Sequence, residues 1–281
     1  MTENNAGVAV IGTGNWGSSL IAALRRAGVP TAVISRGWRG GSSTSLEARV
    51  IWICAPDAAI EEVAERIGRR TAERRRNSRG QIVVHSSGAL SADVLGPVRR
   101  AGAQIAAVHP VMSFPTRRVV ALDGVMFGVE TRDAAVRREL YALVRRMGGV
   151  PFAVKAESKA LYHSAGTLAS PLLVAAITAA RDTAELAGLD KRAASKFVQS
   201  LVEATLANAF ARGTQQSFSG PFARGDAETI RLHLRVLEKH PMVAGVYRAL
   251  AQYAIEALPV KNRSSLERAV AEGSPRARRI K

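Results

Sequence analysis

Short runs of apolar residues recur through the first 154 positions: VAVI at 8–11, TAVI at 31–34, VIWIC at 50–54, and further runs at 81–84, 104–108, 124–129 and 150–154. Runs of this length without alternation are the mark of strands buried on both faces of a parallel sheet. Helical patterns separate them, at 18–26 after the first run, from about Asp57 after the third, and at 132–147 between the last two. Strand followed by helix, repeated, predicts a doubly wound, mostly parallel, Rossmann-like α/β sheet over residues 1–154. Beyond Lys155 the short runs stop. Apolar positions then recur at helical spacing in 157–186, 191–212, 227–239, 242–258 and 264–271, which predicts an all-α C-terminal domain over 155–273 and a basic, disordered tail at 274–281.

The junction between the first strand and the first helix carries the sharpest signal. Gly12, Gly14 and Gly17 of GTGNWG stand at GxGxxG spacing immediately after the strand and at the head of the helix. In that setting Gly12 permits a tight turn, Gly14 lets the backbone approach a pyrophosphate, and Gly17 lets helix pack closely on strand. The unpaired N–H groups of the helix start then face the phosphates. Thr13, Asn15 and Trp16 complete the turn and count with the glycines as cofactor-binding residues. About 20 residues further on, where an acidic side chain would bind the ribose of NAD, no carboxylate is found. Ser35, Arg36 and Arg39 stand there instead, on a Gly/Ser-rich loop that suits a ribose 2′-phosphate, so NADP(H) is the expected cofactor. Arg36 is either that phosphate contact or a surface arginine in a flexible loop. Ala55 and Pro56, after the third strand, are expected to floor the cofactor site, with Asp57 capping the next helix.

Composition narrows the class. A chain of 281 residues with 47% hydrophobic content has ample material for a packed core. Cys54 is the only cysteine, which excludes an intramolecular disulfide and suits a reducing cytoplasm. The start, MTENNAG, lacks the basic and apolar regions of a signal peptide. The most apolar segment, 165–180, contains Pro171, is closed by Arg181 and falls short of the roughly 20 residues a bilayer requires, so it is expected to be a buried helix and not a membrane span. The net charge of +17 is concentrated at 66–79 and 276–281, with few aromatics to stack on bases. These runs read as solvated helix faces and a tail rather than a nucleic-acid surface, and the general positive potential steers a small anionic metabolite.

Residues able to carry chemistry collect at strand ends and on one helix. On the helix beginning near Glu157, taking Lys159 as zero, His163 falls at about 40°, Gly166 at about −20°, Thr167 at about 80° and Ser170 at about 20°, one polar stripe on an otherwise apolar helix. A lysine there either snorkels to water from the first turn or, desolvated, has its pKa lowered and passes a proton near neutral pH. His109 ends a strand ahead of Pro110 and is either structural or a proton carrier for a carbonyl or alcohol oxygen. His85 has the same address with less support. Ser86 and Ser87 are placed to hydrogen-bond the nicotinamide ribose, its carboxamide or the substrate. No His or Cys spacing of a metal site is present. Arg224, in the rigid loop GPFARGD, is a candidate clamp for a substrate carboxylate, and Asp226 a helix cap.

Together GTGNWG, CAPD, HSSG, HP, KALYHSAG and GPFARGD resemble the two-domain Rossmann-like oxidoreductases related to 6-phosphogluconate and 3-hydroxyacid dehydrogenases. The likeness is greatest to a bacterial subfamily with a helical C-terminal domain of poorly defined function, and it spans nearly the whole chain. It implies a nicotinamide cofactor and a helical domain that forms a homodimer. Lys159 resembles the catalytic lysine of the hydroxyacid enzymes, with His163 four residues later where they carry asparagine. Ser170 stands where the subfamily has asparagine and is carried over as substrate-binding. His109 and Ser87 resemble the histidine and serine lining the site of prephenate dehydrogenases. Some subfamily members resemble ketopantoate reductases, which makes a branched 2-oxo acid the first expected substrate.

The expectation is therefore an NADP-dependent oxidoreductase acting on a small carboxylate-bearing carbonyl, alcohol or imine. Lys159 and His109 would transfer protons, His163 and Ser87 would position substrate, and Arg224 would clamp an anion. The competing class is a nucleotide-binding sensor or scaffold without turnover, which the two missing asparagines favour; prephenate dehydrogenase-like or imine-reducing activity is the alternative chemistry.

Overall fold

In the computed structural model, which describes residues 7–34, 44–73 and 80–272, the predicted apolar runs become one seven-stranded sheet. In chain order the elements are β1 (Val8–Ile11), α1 (Asn15–Arg26), β2 (Thr31–Ile34), β3 (Val50–Ile53), α2 (Asp57–Glu73), β4 (Ile82–His85), α3 (Gly96–Arg100), β5 (Gln104–Pro110), β6 (Met126–Glu130), α4 (Ala134–Arg146) and β7 (Val150–Ala153). Their spatial order is β2-β1-β3-β4-β5-β6-β7. Strands β1 to β5 run parallel, β6 is antiparallel to β5, and β7 is parallel to β6. The fold is the mostly parallel Rossmann-like sheet of the sequence pattern.

The lack of alternation in those runs has a simple cause, since β1, β3 and β4 are buried at all four positions. Val8, Val10 and Trp52 pack on one face with Leu20 and Leu24 of α1 and Leu140 and Val144 of α4. Ala9, Ile11, Ile51 and Ile53 pack on the other with Ile60, Ala64 and Ile67 of α2 and Val98 of α3. Strand order reverses between β1 and β3, and such a switch point opens a crevice beyond the carboxyl ends of the strands.

The chain divides into two compact units, Met1–Ser170 and Pro171–Lys281. The pattern in the sequence changes character at 154/155, but α5 (Lys159–Ala169) groups with the sheet. The second unit holds α6 (Pro171–Leu186), α7 (Lys191–Arg212), α8 (Thr214–Ser217), α9 (Gly220–Arg224), α10 (Ala227–Leu237), α11 (Pro241–Ala257) and α12 (Arg263–Ala271). Its core joins Ile230 and Leu234 of α10, Ala251 and Ile255 of α11, and Leu266 and Val270 of α12.

Two expectations about the apolar helix are corrected. The single helix over 157–186 is two helices, because Pro171 cannot donate the next backbone hydrogen bond and Ser170 leaves helical geometry at φ −127° and ψ −86°. Nor is the stretch buried by its own chain, since Leu161 is 77% exposed and Leu168 65%. By length and composition Ala156–Leu186 is able to cross a membrane, and none of its most apolar window is buried. Apolar composition asks for a cover without stating which molecule provides it.

Candidate active site

The site begins at the glycine turn. Gly12 has φ 104°, and a Cβ there would lie 2.4 Å from the carbonyl oxygen of Cys54, so β3 presses directly on the turn. A Cβ on Gly17 would lie 2.1 Å from the Gly12 oxygen, which lets α1 begin inside the motif, at Asn15 rather than at Ser18. Gly14 differs, for nothing comes within 4 Å of its Cβ direction, and both it and Thr13 are exposed. The first turn of α1 carries no acidic residue and no side-chain cap. Its free N–H groups and positive dipole end therefore meet open space, a cradle that fits the two phosphates of a dinucleotide.

The side chains of three residues expected to contact cofactor are engaged with protein, while the backbone N–H groups of Asn15 and Trp16 remain at the open start of α1. The Asn15 amide donates to the Phe114 carbonyl at 2.7 Å. The indole N–H groups of Trp16 and Trp52 both donate to the Ser86 hydroxyl oxygen, at 2.7 and 2.8 Å, and that hydroxyl also hydrogen-bonds the Cys54 thiol, whose pKa burial pushes up. Trp16 packs against Phe114, Phe127 and Trp52. Ser86, Trp16 and Asn15 thus build the wall behind the turn, and the acceptor capacity of Ser86 is filled. Ser35 and Arg36, with Arg39, lie outside the described residues. Ala55 and Pro56 follow β3 as expected, half-buried and exposed.

Beyond β4 the HSSG turn is organised by Ser87, which is 5% exposed. Its hydroxyl donates to Asp57 at 2.8 Å and accepts the N–H groups of Ala89 and Leu90. Its own N–H donates to Nδ1 of His85, and its carbonyl accepts Nζ of Lys159 at 2.8 Å. Each polar atom of Ser87 is therefore committed within the protein, so it holds Lys159 where the sequence reading had it touch substrate. Asp57 is the first residue of α2, and its carboxylate serves Ser87. His85, fully buried, donates from Nε2 to the Ser91 carbonyl at 3.1 Å, so both ring nitrogens are bound and its role is structural. Burial, helped by Lys159, lowers it to about 4.

Lys159 is 2% exposed, so the snorkelling alternative is not realised. Burial lowers its pKa to about 8, with Glu130 and Asp57 opposing. His109, at the end of β5, meets the hydroxyl of Tyr162 at Nδ1, 2.8 Å away. Its ring lies edge-on to His163 with centroids 5.8 Å apart. Burial, then Lys159 and His163, push His109 down to about 4 against the pull of Asp57. The sheet and α5 thus bring together Lys159, His109, His163 and Ser87. Ser170 ends α5 and is exposed. Arg224 is exposed at the end of α9 in the second unit. The segment expected as a rigid loop is a short helix closed by Gly225, and Asp226 caps α10 through Thr229. Among the described residues no group of three or more His, Cys, Asp or Glu is placed to hold a metal ion.

Tyr162 was not singled out from the sequence. With Lys159 at zero it falls at about −60° on the helix, just outside the polar stripe. An aromatic with a polar tip flanking that stripe was the available signal.

Comparison with known proteins agrees with this architecture. Residues 125–254 match the model of a domain of unknown function, DUF2520, and residues 40–110 match a Rossmann-like domain. No functionally curated protein matches the sequence. Among solved structures, a Thermotoga maritima protein is 20% identical with a TM-score of 0.66, over 94% of this chain and 98% of its own. A Bacteroides fragilis protein, provisionally described as an NADP oxidoreductase, gives 18% and 0.67 over 95% and 100%. The pyrroline carboxylate reductase of Plasmodium falciparum, solved with NADP bound, gives 14% and 0.55 over 97% and 100%. At these identities the likeness shows the fold.

Proposed function

We propose that this chain, a Rossmann-like domain joined to a domain of the DUF2520 family, is an NADP-dependent oxidoreductase that reduces a C=O or C=N bond in a small carboxylate-bearing metabolite. The observation that carries the reading is the buried ammonium of Lys159, fixed by the Ser87 carbonyl at the carboxyl edge of a sheet whose first turn is shaped for phosphates. Gly12, Gly14, Gly17 and the N-terminus of α1 would hold the diphosphate, and Arg36 the 2′-phosphate. When bound, the nicotinamide supplies hydride. Reduction then needs a proton at the substrate oxygen or nitrogen, and Lys159, charged at pH 7 but acidified by burial, is suited to give it. One of its protons is held by Ser87, and the other two have no hydrogen-bond partner among the described residues.

One likeness supports the substrate class. The Plasmodium relative is a pyrroline carboxylate reductase, and a pyrroline carboxylate is a cyclic imine bearing a carboxylate. A branched 2-oxo acid such as ketopantoate shares the carboxylate and the reducible double bond. The exposed apolar residues of α6 and α7, among them Leu172, Val174, Phe197 and Leu201, support a homodimer in which a second copy covers them. Sedimentation in the presence and absence of lipid vesicles separates a dimer from a membrane-bound monomer.

The test is a panel of cyclic imines and 2-oxo acids followed by NADPH absorbance, with cofactor binding measured by calorimetry. Turnover of a carboxylate-bearing member is expected. NADPH binding without turnover of any member would favour the sensor reading, and no heat with either NADPH or NADH would remove the proposal.

A further inference from the structure

Three observations meet at Nδ1 of His109. The first is the 2.8 Å contact with the Tyr162 hydroxyl, which bridges 53 residues of sequence between β5 and α5. The second is the way Tyr162 is held, with its ring edge-on to Phe152 at 5.9 Å on one side and to His109 at 5.6 Å on another. The third is the residue opposite His109 in the antiparallel β5–β6 register, which is Gly128. A Cβ on Gly128 would lie 2.8 Å from the Tyr162 hydroxyl oxygen. A glycine at that one place is what lets the phenol reach the imidazole.

We propose that Tyr162 is a positioning residue that decides which nitrogen of His109 carries the proton: its phenol donates to Nδ1, and His109 therefore presents an N–H at Nε2 to the substrate. The direction of this hydrogen bond follows from counting partners. A neutral imidazole has one donor and one acceptor nitrogen, and a phenol can do either. Were Nδ1–H to donate to the phenol oxygen, the half-buried O–H of Tyr162 would have no acceptor among the described residues, and such an orphan is unfavourable. With the phenol donating, Nδ1 and the hydroxyl are both paired and only Nε2–H is left for a ligand, whereas the opposite direction leaves both the hydroxyl proton and the Nε2 lone pair without a protein partner. Burial supports the same arrangement, raising Tyr162 to about 12 so that its proton stays, and holding His109 neutral. The groups facing His109 are Lys159 and His163 from α5, which disfavour its cationic form, and Asp57 from α2, which opposes them.

Nε2 has no protein hydrogen-bond partner among the described residues. It faces Gly88 of the HSSG turn, where a Cβ would lie 2.8 Å from it. The consequence, which rests on the reductase reading, is a division of labour. His109 stays neutral and polarises the substrate heteroatom through Nε2–H, keeping its proton. Lys159 gives up a proton and becomes an amine. The side chain that resembles a general acid by its address thus acts as a hydrogen-bond donor.

The experiment is 15N NMR of the full chain labelled at histidine, with His109 assigned by its absence in His109→Gln. The expected spectrum near pH 7 has Nε2 protonated and Nδ1 unprotonated. A protonated Nδ1 overturns the inference. In Tyr162→Phe, removal of a donor from Nδ1 restores its basicity, so the pH at which His109 gains its second proton moves up, and kcat falls about tenfold with KM changed less. A downward move means the phenol was accepting and also overturns the inference. Gly128→Ala, which keeps the tyrosine but blocks its hydroxyl, is expected to reproduce the Tyr162→Phe spectrum; a wild-type His109 spectrum there counts against it. Because the nitrogen spectra need no cofactor, failure of the reductase reading, shown by no NADPH binding, is distinguishable from failure of the tautomer assignment.

Discussion

Replacing Lys159 with methionine separates what this side chain does to folding from what it does in chemistry. Burial lowers its ammonium from 10.5 to about 8, which corresponds to about 3 kcal/mol against the charged form in the folded state. Below pH 8 the lysine is charged in both the folded and unfolded chains, and the whole penalty is present. Between 8 and 10.5 the unfolded lysine holds a proton that the folded one has released, so wild-type stability rises with pH across that window. Methionine removes the penalty at every pH but leaves the Ser87 carbonyl without its donor, a loss of about 1–2 kcal/mol. The variant is therefore expected to be more stable than wild type by about 1–2 kcal/mol at pH 7 and less stable by up to about 1 kcal/mol at pH 10. Urea unfolding of both proteins over that range reads the difference directly, since His85 and His109, which Lys159 also depresses, titrate below it. A difference that stays constant with pH would refute the desolvated lysine. Turnover by the variant is expected to fall by at least about 100-fold, with NADPH affinity changed only a few fold.

Four other substitutions divide binding from folding. Gly14→Ala has room for its methyl group, so it should melt like wild type yet bind NADPH at least about tenfold more weakly in calorimetry. Gly12→Ala, with positive φ and the Cys54 carbonyl at 2.4 Å, should instead lose about 2–4 kcal/mol of stability. Ser86→Ala leaves the indoles of Trp16 and Trp52 without their acceptor, so denaturant melts should show a loss of about 2–3 kcal/mol; an unchanged melt joined to a large loss of cofactor affinity would return Ser86 to the ligand. Arg224→Ala, at an exposed position, should leave stability unaltered and raise KM for carboxylate substrates about tenfold while sparing their neutral esters.

How far the sequence reveals this molecule depends on the range of the interaction. β1, β3 and β4 were legible because burial on both faces removes alternation, and the glycine turn because each glycine answers a separate close approach. Lys159 was legible as one polar residue on an apolar helix. The break at Ser170 and Pro171 shows in the hydrophobic pattern only as a shortening of an apolar run, although proline's missing donor ends the helix there. Ser86 and Asn15 were assigned outward by their address at strand and helix ends, and nothing local says that Trp52 and Phe114 already engage them. The tie between His109 and Tyr162 was hidden for the same reason, since its partners come from distant segments and its enabling residue is a glycine on a third strand.

The grouping of α5 with the sheet has a mechanical consequence. Lys159, Tyr162 and His163 belong to the same compact body as His109 and the glycine turn. The distances among these side chains are therefore set inside one packed unit, and loosening the later helices leaves that spacing as it is.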